Sequence, residues 1–174
     1  MVYYSDRLLE LWREMLEKAQ EIERELEKAI EEEAARDEDC KILQTAPRVG
    51  PFTALLVRAE VGDIRRFKKW ESLVSYISLA PRLFQSGERC YYGSLGKWGN
   101  RWLRYGLGLL AQPIAQSKED SSLRRDYWRV CLRRDKNSAK IAVARKAVKI
   151  FHHMLTEHEA WNDCVEVKSA KMTA

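Results

Sequence analysis

The chain has 174 residues, 33% of them charged, with only 8 glycines and 4 prolines, which suits a folded domain with one attached element and excludes a disordered linker protein. No apolar run reaches the roughly 18 to 20 residues of a membrane span, and no basic segment followed by an apolar core opens the chain, so a cytoplasmic protein with no membrane partner is expected. The net charge of +5 hides a division: residues 1–40 carry 14 acidic and 6 basic side chains and the rest 12 acidic and 25 basic, an acidic arm before a basic body that points to a polyanion partner, nucleic acid first.

Residues 5–36 read as one long helix, with Ser5 or Asp6 as its cap. Its apolar positions Leu8, Trp12, Met15, Ala19, Ile22, Leu26 and Ala29 are spaced alternately by 4 and 3. That is a heptad stripe, and so narrow a stripe needs a partner helix, either from a second copy of the chain or from elsewhere in the same chain. Paired carboxylates such as Glu27 and Glu31 belong to the solvated outer face. A short helix over Cys40–Thr45 follows. The turn Ala46-Pro47-Arg48-Val49-Gly50-Pro51 then leads into an apolar helix over Phe52–Val61, with Pro51 in its first turn where a missing N–H costs nothing.

Gly62 and Asp63 stop that helix, and Arg65, Arg66, Lys68 and Lys69 surround Phe67 before an amphipathic helix over Trp70–Leu79. Residues 80–98 read as an irregular loop, with a small hairpin around Leu83–Tyr92 as the alternative. A helix from Asn100 to Ser117 holds Pro113 as a kink or boundary. Two further helices, Asp120–Arg134 and Asn137–Glu157, are expected to be capped by Asp120 or Ser121 and by Asn137. The stripes Trp128/Cys131/Leu132 and Ile141/Val148/Phe151/Leu155 read as core, and the tail after Trp161 as frayed. The fold expected is mainly α: a coiled-coil helix at 1–39, a compact helical domain at 40–160, and a tail at 161–174.

Two segments carry candidate chemistry. In Ile42–Asp63, two short helices joined by a P-x-V-G-P turn resemble a helix-hairpin-helix. Such a turn points backbone N–H groups at a DNA phosphate, here around Gly50, although Arg48 stands where glycine is usual. In Leu79–Arg104, the cations Arg82, Arg89, Lys97, Arg101 and Arg104 alternate with Tyr91, Tyr92, Trp98 and Trp102, the mixture used to neutralise phosphates and stack on bases. On chemistry alone Ser86, before Gly87, is a turn residue. Cys40, Cys90, Cys131 and Cys164 form no C-x-x-C pair and read as reduced thiols. His152, His153 and His158 lack zinc-motif spacing and read as surface or interface residues, so no metal site is expected.

Taken in order, these segments are similar to the C-terminal transposase domain of the insertion sequence 110 family, the serine-type transposases with a DEDD nuclease domain, some guided by a bridge RNA. The residues that carry the resemblance are Pro47, Val49, Gly50 and Pro51, then Gly62, Asp63, Arg66 and Phe67. Leu79, Ala80 and Pro81 follow, then Ser86 and Gly87, and last Gly93, Lys97, Gly99, Asn100, Leu103 and Arg104.

The resemblance implies that Ser86 is the nucleophile that holds a DNA strand as a phosphoserine ester, with Ser94 a weaker competitor. It implies that Arg48, Gly50, Arg82, Arg89, Lys97, Asn100, Arg101 and Arg104 contact nucleic acid. It places the four acidic ligands of the catalytic magnesium in a nuclease-like domain upstream of the coiled coil, absent from this sequence. No cofactor is therefore expected in this chain, and no strand transfer by it alone. Double-stranded DNA, a guide (bridge) RNA and a second copy of the chain are the partners implied. Two other readings stand beside this one: a non-catalytic nucleic-acid-binding dimerisation module with Ser86 inert, and a structural oligomerisation protein without DNA affinity.

Overall fold

The computed structural model describes residues 2–86, 89–96 and 98–162. The order is α1 (Val2–Arg36), α2 (Glu38–Gln44), α3 (Pro51–Val61), a 3-10 turn (Ile64–Arg66), α4 (Trp70–Tyr76), β1 (Pro81–Ser86), β2 (Arg89–Leu95), α5 (Arg101–Gln116), α6 (Ser122–Arg133) and α7 (Lys136–Glu157). The mainly helical fold with a long first helix agrees with the sequence. The tail from 163 onward lies outside the described residues.

At 35 residues α1 is about 52 Å long. It begins at Val2 and runs straight through Ser5 and Asp6, so neither caps it. Only its end is docked: Ala34 is buried against the body, and the packing partners are α2 and α3. Upstream, the heptad positions Leu8, Trp12, Met15, Ala19, Ile22 and Leu26 all face solvent, Trp12 at 68% exposure. Asp37 breaks the helix and caps α2, accepting from Cys40 N at 3.0 Å. Arg58 of α3 clamps this junction, 3.2 Å from Asp37 and 3.1 Å from Asp39, and donates to the carbonyl of Gly62 at 2.8 Å. Cys40 is fully buried there. Burial, with Asp37 beside it, pushes its thiol up to about 11 and makes it a packing residue.

Helix α7 is the spine against which α2, α4, α5 and α6 pack. Its buried face is Ala139, Val143, Ala144, Ala147, Val148, Ile150, Phe151, Met154 and Leu155, so the second of the two expected stripes is core and Ile141 is half-buried beside it. Of the first stripe only Cys131 packs against the core, half-buried. Trp128 and Leu132 point to solvent, Leu132 at 85% exposure, while Leu123 and Tyr127 turn inward. The two faces of α6 are offset by one residue, and spacing alone does not tell which one is dry. The cap of α7 is Asp135, not Asn137: its carboxylate accepts from Ser138 N at 2.8 Å, which with the Ser138 hydroxyl holds it below the ordinary carboxylate range. Ser121 caps α6 as expected. Pro113 neither breaks nor ends α5, which continues to Gln116.

The stretch expected to be irregular is an antiparallel hairpin. Phe84 pairs with Tyr91, Leu83 with Tyr92 and Ser86 with Arg89, with a register irregularity between Pro81 and Leu83. Residues 87 and 88 lie between the strands. Pro81, Gly93 and Gly96 are poor strand formers, and residues 81–95 contain no β-branched residue to offset them.

Candidate nucleic-acid interface

The hairpin that carries Ser86 stands on a locked base. Helix α4 closes with two backbone bonds, Leu79 N to Val74 O at 3.0 Å and Ser78 N to Ser75 O at 3.0 Å. This is the Schellman pattern, usually completed by glycine. Here Ser78 takes the left-handed conformation itself, at φ 58°. The chain turns directly from Ser78 into β1. On the return, Gly99 lies so close to Ser78 that a β-carbon would sit 2.3 Å from Ser78 Oγ and 2.6 Å from the carbonyl carbon of Ile77. Only glycine fits, which explains that position of the motif. Asn100 N then donates to Tyr76 O at 3.0 Å.

Two motif residues are committed to this base. The Asn100 side-chain oxygen caps α5 by accepting from Leu103 N at 3.0 Å. Its amide donates to Glu60 Oε2 at 2.5 Å and lies 3.4 Å from the Tyr76 hydroxyl. Arg104 donates to the carbonyl of Gly96 at 2.8 Å and so ties the foot of β2 to α5. The Arg66 guanidinium lies 4.5 Å from the Phe67 ring centre and 4.9 Å from that of Tyr76. Donation from Asn100, then from Arg66, holds the Tyr76 phenol below its ordinary range. Gly62, at φ 62°, and Asp63, which caps the 3-10 turn, bring Arg66 and Phe67 to that position.

Other predicted residues are left uncommitted. Arg82 and Arg101 are exposed and make no ion pair or side-chain hydrogen bond among the described residues. Trp98, at 91% exposure, and Trp102 stand beside Arg101 in sequence, both open to solvent. For Ser86 and Arg89 the backbone register is described and the side chains are not; Lys97 lies outside the described residues. The structure thus brings Asn100 and Arg104 to the base of the hairpin, and puts Arg82 and Arg101 on the surface.

The turn between α2 and α3 accommodates Arg48 in the place of glycine. Its φ is 62°, the left-handed conformation that glycine would supply. Holding a non-glycine residue in that conformation costs about 1 kcal/mol. The Arg48 guanidinium is carried outward and donates to Ser117 Oγ at 3.2 Å. Gly50 is exposed and starts α3 with no side-chain cap, and Pro51 follows in the first turn. Beside this turn, Arg48, Leu109, Gln112, Pro113 and Gln116 line a groove of about 600 Å³.

Sequence reasoning missed a second apolar face on α5. Trp102, Tyr105 and Leu109 are exposed, while Leu103, Leu107, Leu110 and Ile114 are buried. Phe52, at the start of α3, is exposed as well. The signal was present: α5 has apolar residues at two sets of helical spacing, more than one buried face needs. Among the histidines, His152 meets the carbonyl of Phe67 at 2.8 Å, and His158 lies 3.6 Å from Asp39 in the cap of α7. Among the described residues no three His, Cys, Asp or Glu side chains gather into a metal-holding group, and no helix is long and apolar enough to cross a membrane.

The sequence model of the Transposase IS116/IS110/IS902 family matches residues 40–128. The chain belongs to this family. The match begins at Cys40 of α2 and ends at Trp128 of α6, so it contains both the α2–α3 turn and the hairpin with its base. A similar curated protein is the transposase for insertion sequence element IS1111A of Coxiella burnetii (strain RSA 493 / Nine Mile phase I), 34% identical over 137 residues, which are 78% of this chain and 38% of that protein. The transposase for insertion sequence element IS1328 of Yersinia enterocolitica is 29% identical over 159 residues, covering 90% of this chain and 46% of its own length. A probable family 20 transposase of Pseudomonas aeruginosa (strain ATCC 15692 / DSM 22644 / CIP 104116 / JCM 14847 / LMG 12228 / 1C / PRS 101 / PAO1) is 27% identical over 157 residues, 87% and 46% of the two chains. The chain spans less than half the length of these curated relatives, and it keeps the family's transposase segment with the long helix before it.

Proposed function

We propose that this chain is the DNA-binding, serine-nucleophile part of a transposase. The observation that carries the reading is the hairpin: its tip bears Ser86, its feet are fixed by Gly99, Asn100 and Arg104, and the cations Arg82 and Arg101 beside it are uncommitted. A nucleophile must be held still relative to the phosphate it attacks, and charge-neutralising groups must be free to meet that phosphate. In the proposed step Ser86 Oγ attacks the phosphorus of a DNA phosphodiester. One P–O bond forms and one breaks, the serine proton ends on the departing sugar oxygen, and the strand is held as a phosphoserine ester. Arg82 and Arg101, with Arg89 and Lys97 of the same segment, offset the charge that develops. The α2–α3 turn adds a second hold on the backbone through Arg48 and the uncapped N–H groups after Gly50.

No part of this step is assigned to a metal ion. Completion of strand transfer is assigned to a nuclease-like domain outside this sequence, where magnesium belongs. The exposed heptad face of α1 is assigned to a second copy of the chain, and a guide RNA is a further partner that the basic surface suits.

Two experiments test the reading. Binding to labelled duplex, four-way-junction DNA and structured RNA across a salt series should show a steep log–log slope. The Arg82→Ala/Arg101→Ala variant should lower it by roughly 1.8 on duplex, about 0.9 for each phosphate left without its cation. An unchanged slope removes these arginines from the interface. DNA with a bridging phosphorothiolate, whose sulfur departs without a general acid, should then form a covalent adduct that Ser86→Ala abolishes. Tight binding with no adduct would favour the non-catalytic binding module instead.

A further inference from the structure

The strongest feature left unexplained lies beyond residue 128, where the family match ends. Helices α6 and α7 pack antiparallel and meet at Arg134 and Asp135. Several charges along this helical pair are internally compensated. Arg125 pairs with Asp120 at 2.9 Å, and both Arg129 and Lys146 reach Asp126. At the tip the balance fails. Arg133, Arg134, Lys136 and Lys140 fall within eight residues, and none makes an ion pair or side-chain hydrogen bond among the described residues. The one carboxylate within that run, Asp135, accepts from the backbone N–H and hydroxyl of Ser138, at 2.8 and 2.7 Å, and its single negative charge faces four positive ones.

This arrangement costs the fold something. Lys136 and Lys140, four residues apart on α7, repel by a few tenths of a kcal/mol. Lysines in the opening turns of α7 also oppose its dipole. No packing gain offsets this, because all but Lys140 are exposed. Leu132 and Trp128, one turn apart on the outer face of α6, leave apolar surface open to solvent, at 85% and 45% exposure. Residues that break local rules without internal compensation mark a surface that meets something else. An anion with many charges at regular spacing removes the repulsion among all four cations at once.

We propose that the tip of the α6–α7 pair is a second nucleic-acid contact, in which Arg133, Arg134, Lys136 and Lys140 neutralise the phosphate backbone and Trp128 and Leu132 pack beside it. The inference uses none of the hairpin residues, so it stands or falls separately from the Ser86 reading. DNA and RNA present the same phosphate chemistry, and the experiment separates them. The acidic face of α1 from another copy is a different class of partner, with basic side chains scattered among its carboxylates; it suits a cluster of uncompensated cations less well.

The test is equilibrium binding by anisotropy to a labelled duplex and to a labelled structured RNA, from about 50 to about 200 mM salt. Three proteins are compared: wild type, Arg133→Ala/Arg134→Ala/Lys136→Ala/Lys140→Ala, and Arg82→Ala/Arg101→Ala. The tip variant should melt at or slightly above the wild-type temperature, since it relieves the Lys136–Lys140 repulsion and only Lys140 is half-buried. Its log–log slope on duplex should fall by about 3 to 4, and an Arg133→Lys/Arg134→Lys variant should keep the wild-type slope. A fall on duplex alone identifies DNA as the ligand; a fall on RNA alone identifies RNA. If the tip variant matches wild type on both while Arg82→Ala/Arg101→Ala loses slope, the tip proposal is overturned and the hairpin reading survives. The reverse result does the opposite, and a wild type that binds neither polyanion overturns both. A tip variant with wild-type binding and weakened self-association in sedimentation would mean that the tip meets α1 of another copy, which also overturns the proposal.

Discussion

Asn100 and Arg101 are adjacent in sequence and do opposite things. Asn100 turns its side chain inward, capping α5 and reaching Glu60 and Tyr76, whereas Arg101 faces solvent with nothing in the described chain to hold. The same contrast separates Arg104, bound to the carbonyl of Gly96, from Arg82 on β1. The conspicuous polar residues of this segment are thus of two kinds, those that build the base under the hairpin and those left free above it. Substitution at the base should change stability and leave charge alone. Substitution at the surface should change nucleic-acid affinity and leave stability alone.

The largest effect is expected at the base. Gly99→Ala places a β-carbon within 2.6 Å of backbone atoms of Ile77 and Ser78. Backbone cannot yield as a side-chain end does, so we expect about 1 to 3 kcal/mol of destabilisation, read from urea unfolding. A wild-type midpoint in Gly99→Ala would show that the hairpin's feet are not locked as described.

Next comes Asn100→Ala, which removes a helix cap worth about 1 kcal/mol. The same change should raise the Tyr76 phenol back toward its ordinary value of 10.0, seen by ultraviolet titration of the tyrosinate band. The sign follows from linkage: a depressed folded-state value favours the phenolate in the folded protein. Tyr76 therefore adds stability above pH 10.0, and this is lost as pH falls through its folded-state value. Asn100→Ala should reduce the increment and leave the part that Arg66 supplies. In contrast, Arg101→Ala should stay within about 0.5 kcal/mol of wild type.

The smallest effect is expected at Arg48. Glycine there relieves left-handed strain of about 1 kcal/mol, offset by the greater freedom of glycine in the unfolded chain. The net change for Arg48→Gly should lie between zero and about 0.5 kcal/mol of stabilisation. A marked loss of stability would mean that the Arg48–Ser117 hydrogen bond matters more than the backbone strain.

Much of this is legible in the amino-acid order. Helical periodicity locates every helix to within a few residues, because α2 to α6 each bury one face against α7 or its neighbours and α1 carries a regular, exposed heptad stripe. The ordered motifs identify the family. What escapes is decided by contacts between distant residues. The hairpin is legible only as the alternative to an irregular loop, because its stability comes from Gly96, Gly99 and Arg104 meeting Ser78 and the end of β2, not from strand propensity. Trp128 and Leu132 look like core because spacing shows that a face is apolar and not whether anything covers it. Asn100 and Arg104 look like phosphate ligands because an amide or a guanidinium is the same in sequence whether it binds a phosphate or a carbonyl.

The most direct test of the central claim is proximity of position 86 to a DNA phosphate. Ser86→Cys, in a background where Cys90, Cys131 and Cys164 are changed to serine and the buried Cys40 is kept, would be offered duplex DNA carrying a disulfide tether on one phosphate. A Glu27→Cys control places the thiol on the exposed face of α1. The account predicts rapid, salt-sensitive cross-linking at position 86 and little at position 27. Equal rates at the two positions, or none at position 86 under conditions where the DNA is bound, would contradict it.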